Sequence, residues 1–118
     1  MSDTLRIKYT VIVSSDDLPD DVVQMAITGL THLFGGVTVT EGTGTWLQTA
    51  VSTQDSYTGQ VGYEKAVIFG ILMTQPEEKA KVPAMKSIIA EAFQGYADWV
   101  HVERAMVDGL HFSINAMI

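Results

Sequence analysis

The residues best suited to chemistry lie in one stretch, between a glycine-rich turn and the start of an apolar strand. Glu64, at the head of that strand, can bind a cation or an amino group, or act as a catalytic base if burial disfavours its charged form. Trp46 offers a flat ring that can stack on a planar group such as adenine. The hydroxyls of Tyr57 and Tyr63 can contact the same ligand. The stretch therefore predicts a binding site for a small molecule.

The turn Gly42-Thr43-Gly44 adds backbone N–H groups that could face an anion, so Thr43 and Gly44 join the predicted ligand-binding residues. The turn lacks the lysine of a phosphate-binding loop, and no helix follows it. A hairpin is therefore the favoured structural interpretation of this segment.

Each candidate also has a simpler interpretation. Glu64 can be an exposed charge at a strand end, with Lys65 opposite an acid on a neighbouring strand. Trp46 can pack under a loop or at a contact between subunits, and tyrosine is common on protein surfaces. The two interpretations of each residue stay open at the level of sequence.

No metal site, cofactor site or catalytic triad is predicted. The three histidines fall on three different elements, and the chain has no cysteine to join them. The acidic residues at the start of the first predicted helix suit helix capping better than calcium binding, because they lack the ligand spacing of a calcium loop. These are Asp16, Asp17, Asp20 and Asp21.

Composition sets wider limits on function. A chain of 118 residues with 47% apolar residues predicts a single globular domain over residues 1–118. The net charge of −7 argues against a nucleic-acid partner. We expect neither a membrane span nor a signal peptide, since the chain lacks the long apolar runs that both need, and we therefore expect a cytoplasmic protein.

The apolar pattern divides the chain into alternating elements. The predicted strands cover 5–13, roughly 36–46, 63–74, 99–107 and 110–118. One predicted helix covers 19–34 and ends at Gly35, and a second begins near Pro83 and stops at Gly95. Residues 48–62 are predicted to form a polar loop, and residues 75–81 a charged connector.

This order predicts an α+β fold, the ferredoxin-like βαββαβ arrangement with an extra C-terminal strand. Its antiparallel sheet would carry both helices on one face. The strands at 63–74 and 110–118 are too apolar to leave the other face in water, so we expect another copy of the chain to cover it. The protein is therefore predicted to be a homo-oligomer.

The stretch resembles a small uncharacterised bacterial family with ferredoxin-like domains. That family shares a G-x-T…G-x-W pattern followed by a glutamate in the next strand. Here the matching residues are Gly36, Thr38, Gly44, Trp46 and Glu64, with one residue more before Gly44 than the family pattern has.

The layout is also similar to that of the phage S-adenosylmethionine lyases. The adjacent Glu64-Lys65 matches a Glu-Lys pair at the start of their third strand, while Trp46 stands where they place a tyrosine. The resemblance implies a phage-encoded trimer, or a multiple of one, and it gives Glu64 a catalytic role if the protein is an enzyme.

Three functions follow as hypotheses. The favoured one is a homo-oligomer that binds or sequesters a nucleotide- or nucleoside-like small molecule in pockets between subunits, lined by the 42–64 region. The alternative is an enzyme of the S-adenosylmethionine lyase type. The third is a purely structural protein whose apolar faces serve assembly only.

Overall fold

The structure is a computed structural model that describes residues 5–49, 57–109 and 113–117. The described residues form four strands, two α-helices and a short 3₁₀ helix. In chain order these are β1 (Leu5–Ser15), α1 (Asp20–Phe34), β2 (Thr38–Thr49), β3 (Tyr57–Met73), α2 (Gln75–Phe93), β4 (Val100–Asp108) and the 3₁₀ helix Ile114–Met117. The strands pair antiparallel in the order β2-β3-β1-β4. The predicted α+β, ferredoxin-like βαββαβ arrangement is confirmed.

The core lies on one face of the sheet, under both helices. Alternate residues of β1 are buried, and the register sets Val11 opposite Phe69 and Val13 opposite Val67. The ring of Phe69 packs 6.2 Å from that of Phe93 on α2. Burying a side chain of this kind stabilises the fold by roughly 1.5–3 kcal/mol. We call this face the helix-bearing face and the other the open face.

The two helices approach each other closely at Gly29 of α1. A Cβ placed at this position would lie 2.8 Å from Cγ2 of Ile88 on α2. Any larger residue here would therefore force the side chain of Ile88 to shift.

Helix α1 ends as the sequence predicts. Gly35 has a φ of 86°, and its backbone N–H donates to the carbonyl of Thr31 at 2.7 Å. Glycine takes this left-handed conformation at little cost because it has no Cβ. The helix begins at Asp20, one residue after the predicted start.

The prediction of a connector over 75–81 was wrong, because helix α2 begins at Gln75. The hydroxyl of Thr74 accepts from the backbone N–H of Glu77 at 3.3 Å, and the Glu77 carboxylate accepts from that of Thr74 at 3.0 Å. This capping box satisfies N–H groups that a helix start leaves unpaired. Pro83 therefore lies inside the helix rather than in its first turn.

The prediction of a loop over 48–62 was also wrong where that segment is described. β2 continues to Thr49 and β3 starts at Tyr57, while residues 50–56 lie outside the described part. The two strands pair from Thr38 opposite Gly70 to Thr49 opposite Tyr57, with an irregularity after Leu47. Backbone pairing needs no apolar side chains, so a polar ribbon leaves little trace in the sequence pattern.

The extra C-terminal strand predicted for 110–118 is not found where that segment is described. Residues Ile114–Met117 form a 3₁₀ helix, and residues 110–112 and 118 lie outside the described part. Alternation over so short a segment does not distinguish a strand from a single 3₁₀ turn when no partner strand stands beside it.

Candidate functional site

The β2–β3 hairpin divides the predicted site residues between its two faces. The predicted turn at Gly42-Thr43-Gly44 was wrong, because these residues lie inside β2, where Gly44 pairs with Glu64 and Thr43 pairs with Lys65. Consecutive residues of a strand point to opposite faces. Because Lys65 is also in register with the buried Ser15, it belongs to the helix-bearing face together with Thr43. Glu64 and Gly44 belong to the open face.

Lys65 is already paired on its own face. Its Nζ lies 3.3 Å from Oε1 of Glu41 on β2 and 3.5 Å from Oδ1 of Asp20 at the start of α1. The hydrogen bond to Glu41, followed by the charges of Glu41 and Asp20, raises the pKa of Lys65. The adjacent Glu64 and Lys65 therefore cannot act as a pair on one ligand within a single chain.

Glu64 is half-buried at a tightly curved corner of the sheet. A Cβ built on its partner Gly44 would lie 3.4 Å from Oγ of Ser14 on β1, although β3 lies between the two strands. The sheet must bend strongly to bring them so close. Ala66, which pairs with Ser14, is only 6% exposed beneath this bend. Ser14, Gly44 and Glu64 thus line one corner of the open face, which we call the Glu64 corner.

The predicted aromatic residues occupy different parts of the same hairpin. Trp46 pairs with Gly62, and Tyr57 pairs with Thr49 near the far end of the hairpin. The side chains of Trp46 and Tyr57 lie outside the described part. Tyr63 is 67% exposed and faces away from Glu64. One chain therefore does not bring Thr43 and Tyr63 together with Gly44 and Glu64.

A shallow trough of about 410 Å³ lies further along the open face. Its floor is Gly70, which stands in register between Thr10 on β1 and Thr38 on β2. The trough offers one ammonium group and three hydroxyls between apolar walls. Its lining residues are Lys8, Thr10, Thr38, Thr40, Ile68, Gly70, Leu72 and Val107. Gly70 at its floor lies six positions along β3 from Glu64, which is about 20 Å along a strand.

Sequence reasoning did not find this trough. The available signal was a single glycine inside an otherwise apolar strand, since such a residue often marks a close approach of backbone or ligand. The polar lining comes from two other strands, and only the strand order brings those residues beside Gly70.

A charged cluster that the sequence did not predict joins α2 to β1 and β4. The Tyr9 hydroxyl donates to Oε2 of Glu78 at 2.6 Å, and Nη2 of Arg104 donates to Oε1 at 3.0 Å. The Arg104 Nε also donates to Oε2 of Glu78. These hydrogen bonds, Arg104 first and Tyr9 second, lower the pKa of Glu78 to about 2. The cluster fastens the start of α2 to the sheet, and both charges in it are paired.

Two further findings concern the described residues alone. No group of three or more acidic, histidine or cysteine side chains lies close enough together to hold a metal ion among them. Over the same part of the chain, the helices are too short or too polar to cross a membrane.

Comparison with known proteins finds solved structures with a similar fold. No protein-family model matches the chain, and no curated protein matches it either. Several solved structures do match. The fold thus places the chain among proteins with a ferredoxin-like layout, and sequence identity stays low throughout.

One similar structure is a phage SAM lyase in complex with S-methyl-5'-thioadenosine, with 15% identity, a TM-score of 0.53 and coverage of 92% of this chain and 93% of that one. A Bacillus cereus protein related to NIF3 has 13% identity and a TM-score of 0.56; the match covers 92% of this chain but 28% of that one. A PII-like signaling protein from Thermus thermophilus has 15% identity, a TM-score of 0.50 and coverage of 92% and 94%. At these identities the likeness establishes the fold alone.

Proposed function

We propose that the chain forms a homo-oligomer that binds a nucleoside- or nucleotide-like small molecule in pockets between subunits. The observation that carries the proposal is the division of the site residues over two faces of one hairpin. Glu64 lies on the open face of the sheet, while the neighbouring Tyr63 is exposed on the opposite face. A pocket that used both kinds of residue would need two copies of the chain.

Uncovered apolar surface supports assembly. On the open face, Leu72 is 54% exposed, and Ile12 and Ile68 are half-buried. β4 is an edge strand whose apolar residues Val102 and Met106 are also exposed. Exposed apolar sheet surface and an unpaired strand edge are both typical of protein interfaces. By analogy with the resemblance to the phage lyases, we expect a trimer or a multiple of it.

The chemistry of the Glu64 corner supports a nucleoside-like ligand. A carboxylate accepts hydrogen bonds from paired hydroxyls such as those of a ribose. Oγ of Ser14, which would lie 3.4 Å from a Cβ at Gly44, adds a hydroxyl to the same corner. The net charge of −7 favours an uncharged nucleoside over a highly charged phosphate ester. Thr43, Trp46, Tyr57 and Tyr63 remain predicted ligand-binding residues, contributed from other parts of the hairpin. A cytoplasmic location and a phage origin likewise remain predictions.

A second candidate function is S-adenosylmethionine lyase activity. It is favoured by the similar structure of a phage SAM lyase with S-methyl-5'-thioadenosine and by the match at Glu64-Lys65. The substrate's own carboxylate oxygen would form a bond to the γ-carbon and close a lactone as the carbon–sulfur bond breaks and the thioether leaves with the bonding electrons. Glu64 would hold the amino end of the substrate. Lys65 could contribute only from another subunit, since it faces away from Glu64 in its own chain.

Incubation of the purified protein with S-adenosylmethionine, followed by chromatography for S-methyl-5'-thioadenosine, separates the two functions. The proposal predicts no turnover and the release of a nucleoside-like molecule when the protein is heated. Turnover that Glu64→Gln abolishes and Glu41→Gln preserves would establish the lyase instead. Glu41 is the matched control because it lies on the same hairpin but on the helix-bearing face. If neither turnover nor a bound molecule is found, the structural hypothesis is correct.

A further inference from the structure

The side chain of Trp99 is almost fully exposed to solvent. Its side chain is 86% exposed, more than any other large apolar side chain in the described part of the chain. Tryptophan is the side chain with the most apolar surface to bury, and exposed ones are enriched at binding sites. The exposure of the Trp99 side chain therefore indicates a role in binding.

Trp99 lies at the end of the sheet that holds the Glu64 corner. Val100, the first residue of β4, pairs with Val13 of β1. Trp99 comes directly before Val100, and Ser14 comes directly after Val13, so the two residues lie at the same end of the sheet. Ser14 is the residue whose Oγ lies closest to Gly44. In the strand order, β1 with Ser14 separates β4, which Trp99 precedes, from β3 and β2, which carry Glu64 and Gly44.

The segment that leads to Trp99 is held in place by several hydrogen bonds. Gly95 turns the chain with a φ of 84°. The backbone N–H groups of Tyr96 and Ala97 donate to the carbonyl of Phe93 at 2.9 and 3.1 Å. The hydroxyl of Ser15 donates to the carbonyl of Tyr96. A ring on an anchored backbone loses little freedom when a ligand binds, which favours affinity.

We propose that Trp99 is the stacking platform of the site, and that the site takes a purine nucleoside whose base lies on the indole while its ribose hydroxyls reach Glu64. This inference rests on the proposed function and adds a residue and a ligand class to it. An aromatic ring is a suitable platform because every nucleobase has a face that can stack on it. The Glu64 carboxylate can accept hydrogen bonds from both ribose hydroxyls.

The test uses the full chain and S-methyl-5'-thioadenosine as the probe. In Trp46→Phe, Trp99 is the only tryptophan, so its fluorescence reports on this site alone. We expect the probe to quench that fluorescence. Equilibrium dialysis should show that Trp99→Ala weakens binding of the probe about tenfold or more, whereas Trp99→Phe keeps affinity within about threefold. Met25→Ala removes an apolar side chain that is exposed on α1 and should leave affinity unchanged.

The outcomes separate this inference from the proposed function. If wild type binds the probe and Trp99→Ala binds it equally well, Trp99 is not part of the site, while the proposed function stands. If Trp99→Ala lowers the oligomer mass in light scattering, Trp99 is an assembly residue and the inference is wrong. If wild type binds neither the probe nor adenosine, the proposed function fails and this inference fails with it.

Discussion

Arg104 on β4 and Glu78 in the first turn of α2 form a bidentate ion pair, in which Nη2 of the arginine lies 3.0 Å from Oε1 of the carboxylate. The hydroxyl of Tyr9 donates to the same carboxylate at 2.6 Å. These contacts connect helix α2 to the edge strand β4 and to its neighbour β1. They also make the stability of the fold depend on the ionisation of one carboxyl group.

The first prediction concerns acid stability. The pKa of Glu78 falls from an ordinary value of 4.5 to about 2 in the folded chain. Its contribution to stability is therefore complete above about pH 4.5 and is lost as the pH falls toward 2. Glu77, whose pKa is lowered by its hydrogen bond to the backbone of Thr74, acts in the same direction.

Glu78→Gln should therefore flatten the fall in unfolding free energy over this pH range. Urea unfolding at a series of pH values checks the effect at fixed protein concentration. Glu91→Gln, which changes an exposed carboxyl group of the same helix, should keep the wild-type pH dependence. An equal effect of the two substitutions would show that Glu78 has no special role.

The second prediction concerns the contact between the helices. Gly29→Ala would place a methyl group 2.8 Å from Cγ2 of Ile88. Overpacking of this kind costs about 1–3 kcal/mol, and the better helix propensity of alanine returns up to about 1 kcal/mol. We expect a net loss of stability of about 1–2 kcal/mol in thermal or urea unfolding.

A double-mutant cycle identifies the cause of that loss. In the background of Ile88→Ala, the same Gly29 substitution should become neutral or stabilising, because the clashing methyl group is gone. Gly36→Ala is the control, since a Cβ at that position meets no atom within 4 Å. Equal costs of Gly29→Ala in both backgrounds would exclude the clash as the reason.

The third prediction concerns assembly. If the open face is covered by another copy, a charge on it should dissociate the oligomer. Leu72→Arg places that charge on the open face beside Lys8, which faces Leu72 in the register. Met25→Arg places the same charge on α1, where the side chain is similarly exposed, at 53%.

Light scattering at micromolar concentration checks this prediction. Wild type and Met25→Arg should have the mass of an oligomer, a multiple of 12.9 kDa greater than one chain. The mass of Leu72→Arg should approach the 12.9 kDa of a single chain. A wild-type mass of a single chain would contradict the prediction and remove the basis for pockets between subunits.

The fold could be predicted from the sequence because its main elements bury one side. The alternation of β1 and the glycine that ends α1 were both clear signals, and both agree with the structure. Helix α2 was predicted to start too late because its first turns are charged and lie beyond the core, where only the capping box at Thr74 and Glu77 marks them. The β2–β3 hairpin was predicted too short because backbone pairing sustains it without apolar side chains.

The site was harder to predict, because alternation and strand order decide which residues can meet. The sequence shows Glu64 and Lys65 as neighbours, while the register sends them to opposite faces. It gives no indication that Ser14 approaches Gly44, since these residues lie on strands that do not pair. The sequence predicts Trp99 as the start of a strand, whereas its exposure follows from the fold, in which the helices leave β4 uncovered.

The fourth prediction concerns Trp46, whose position in β2 is two residues from Gly44. If its ring stacks on the ligand, Trp46→Ala should weaken affinity for S-methyl-5'-thioadenosine by roughly 1–3 kcal/mol. Trp46→Phe should retain most of the affinity, because a smaller aromatic ring can still stack. Calorimetric titration of the two variants checks this, and a loss of equal size in both would argue against stacking.

The central claim is that this fold binds a nucleoside through Glu64 on the open face of the sheet. Equilibrium dialysis of S-methyl-5'-thioadenosine against wild type, Glu64→Gln and Glu41→Gln tests it most directly. We predict saturable binding to wild type and to Glu41→Gln, with affinity reduced at least tenfold in Glu64→Gln, since a hydrogen bond to a charged group contributes about 1.5–3 kcal/mol. Equal affinity of all three proteins, or no binding to wild type, would contradict the claim.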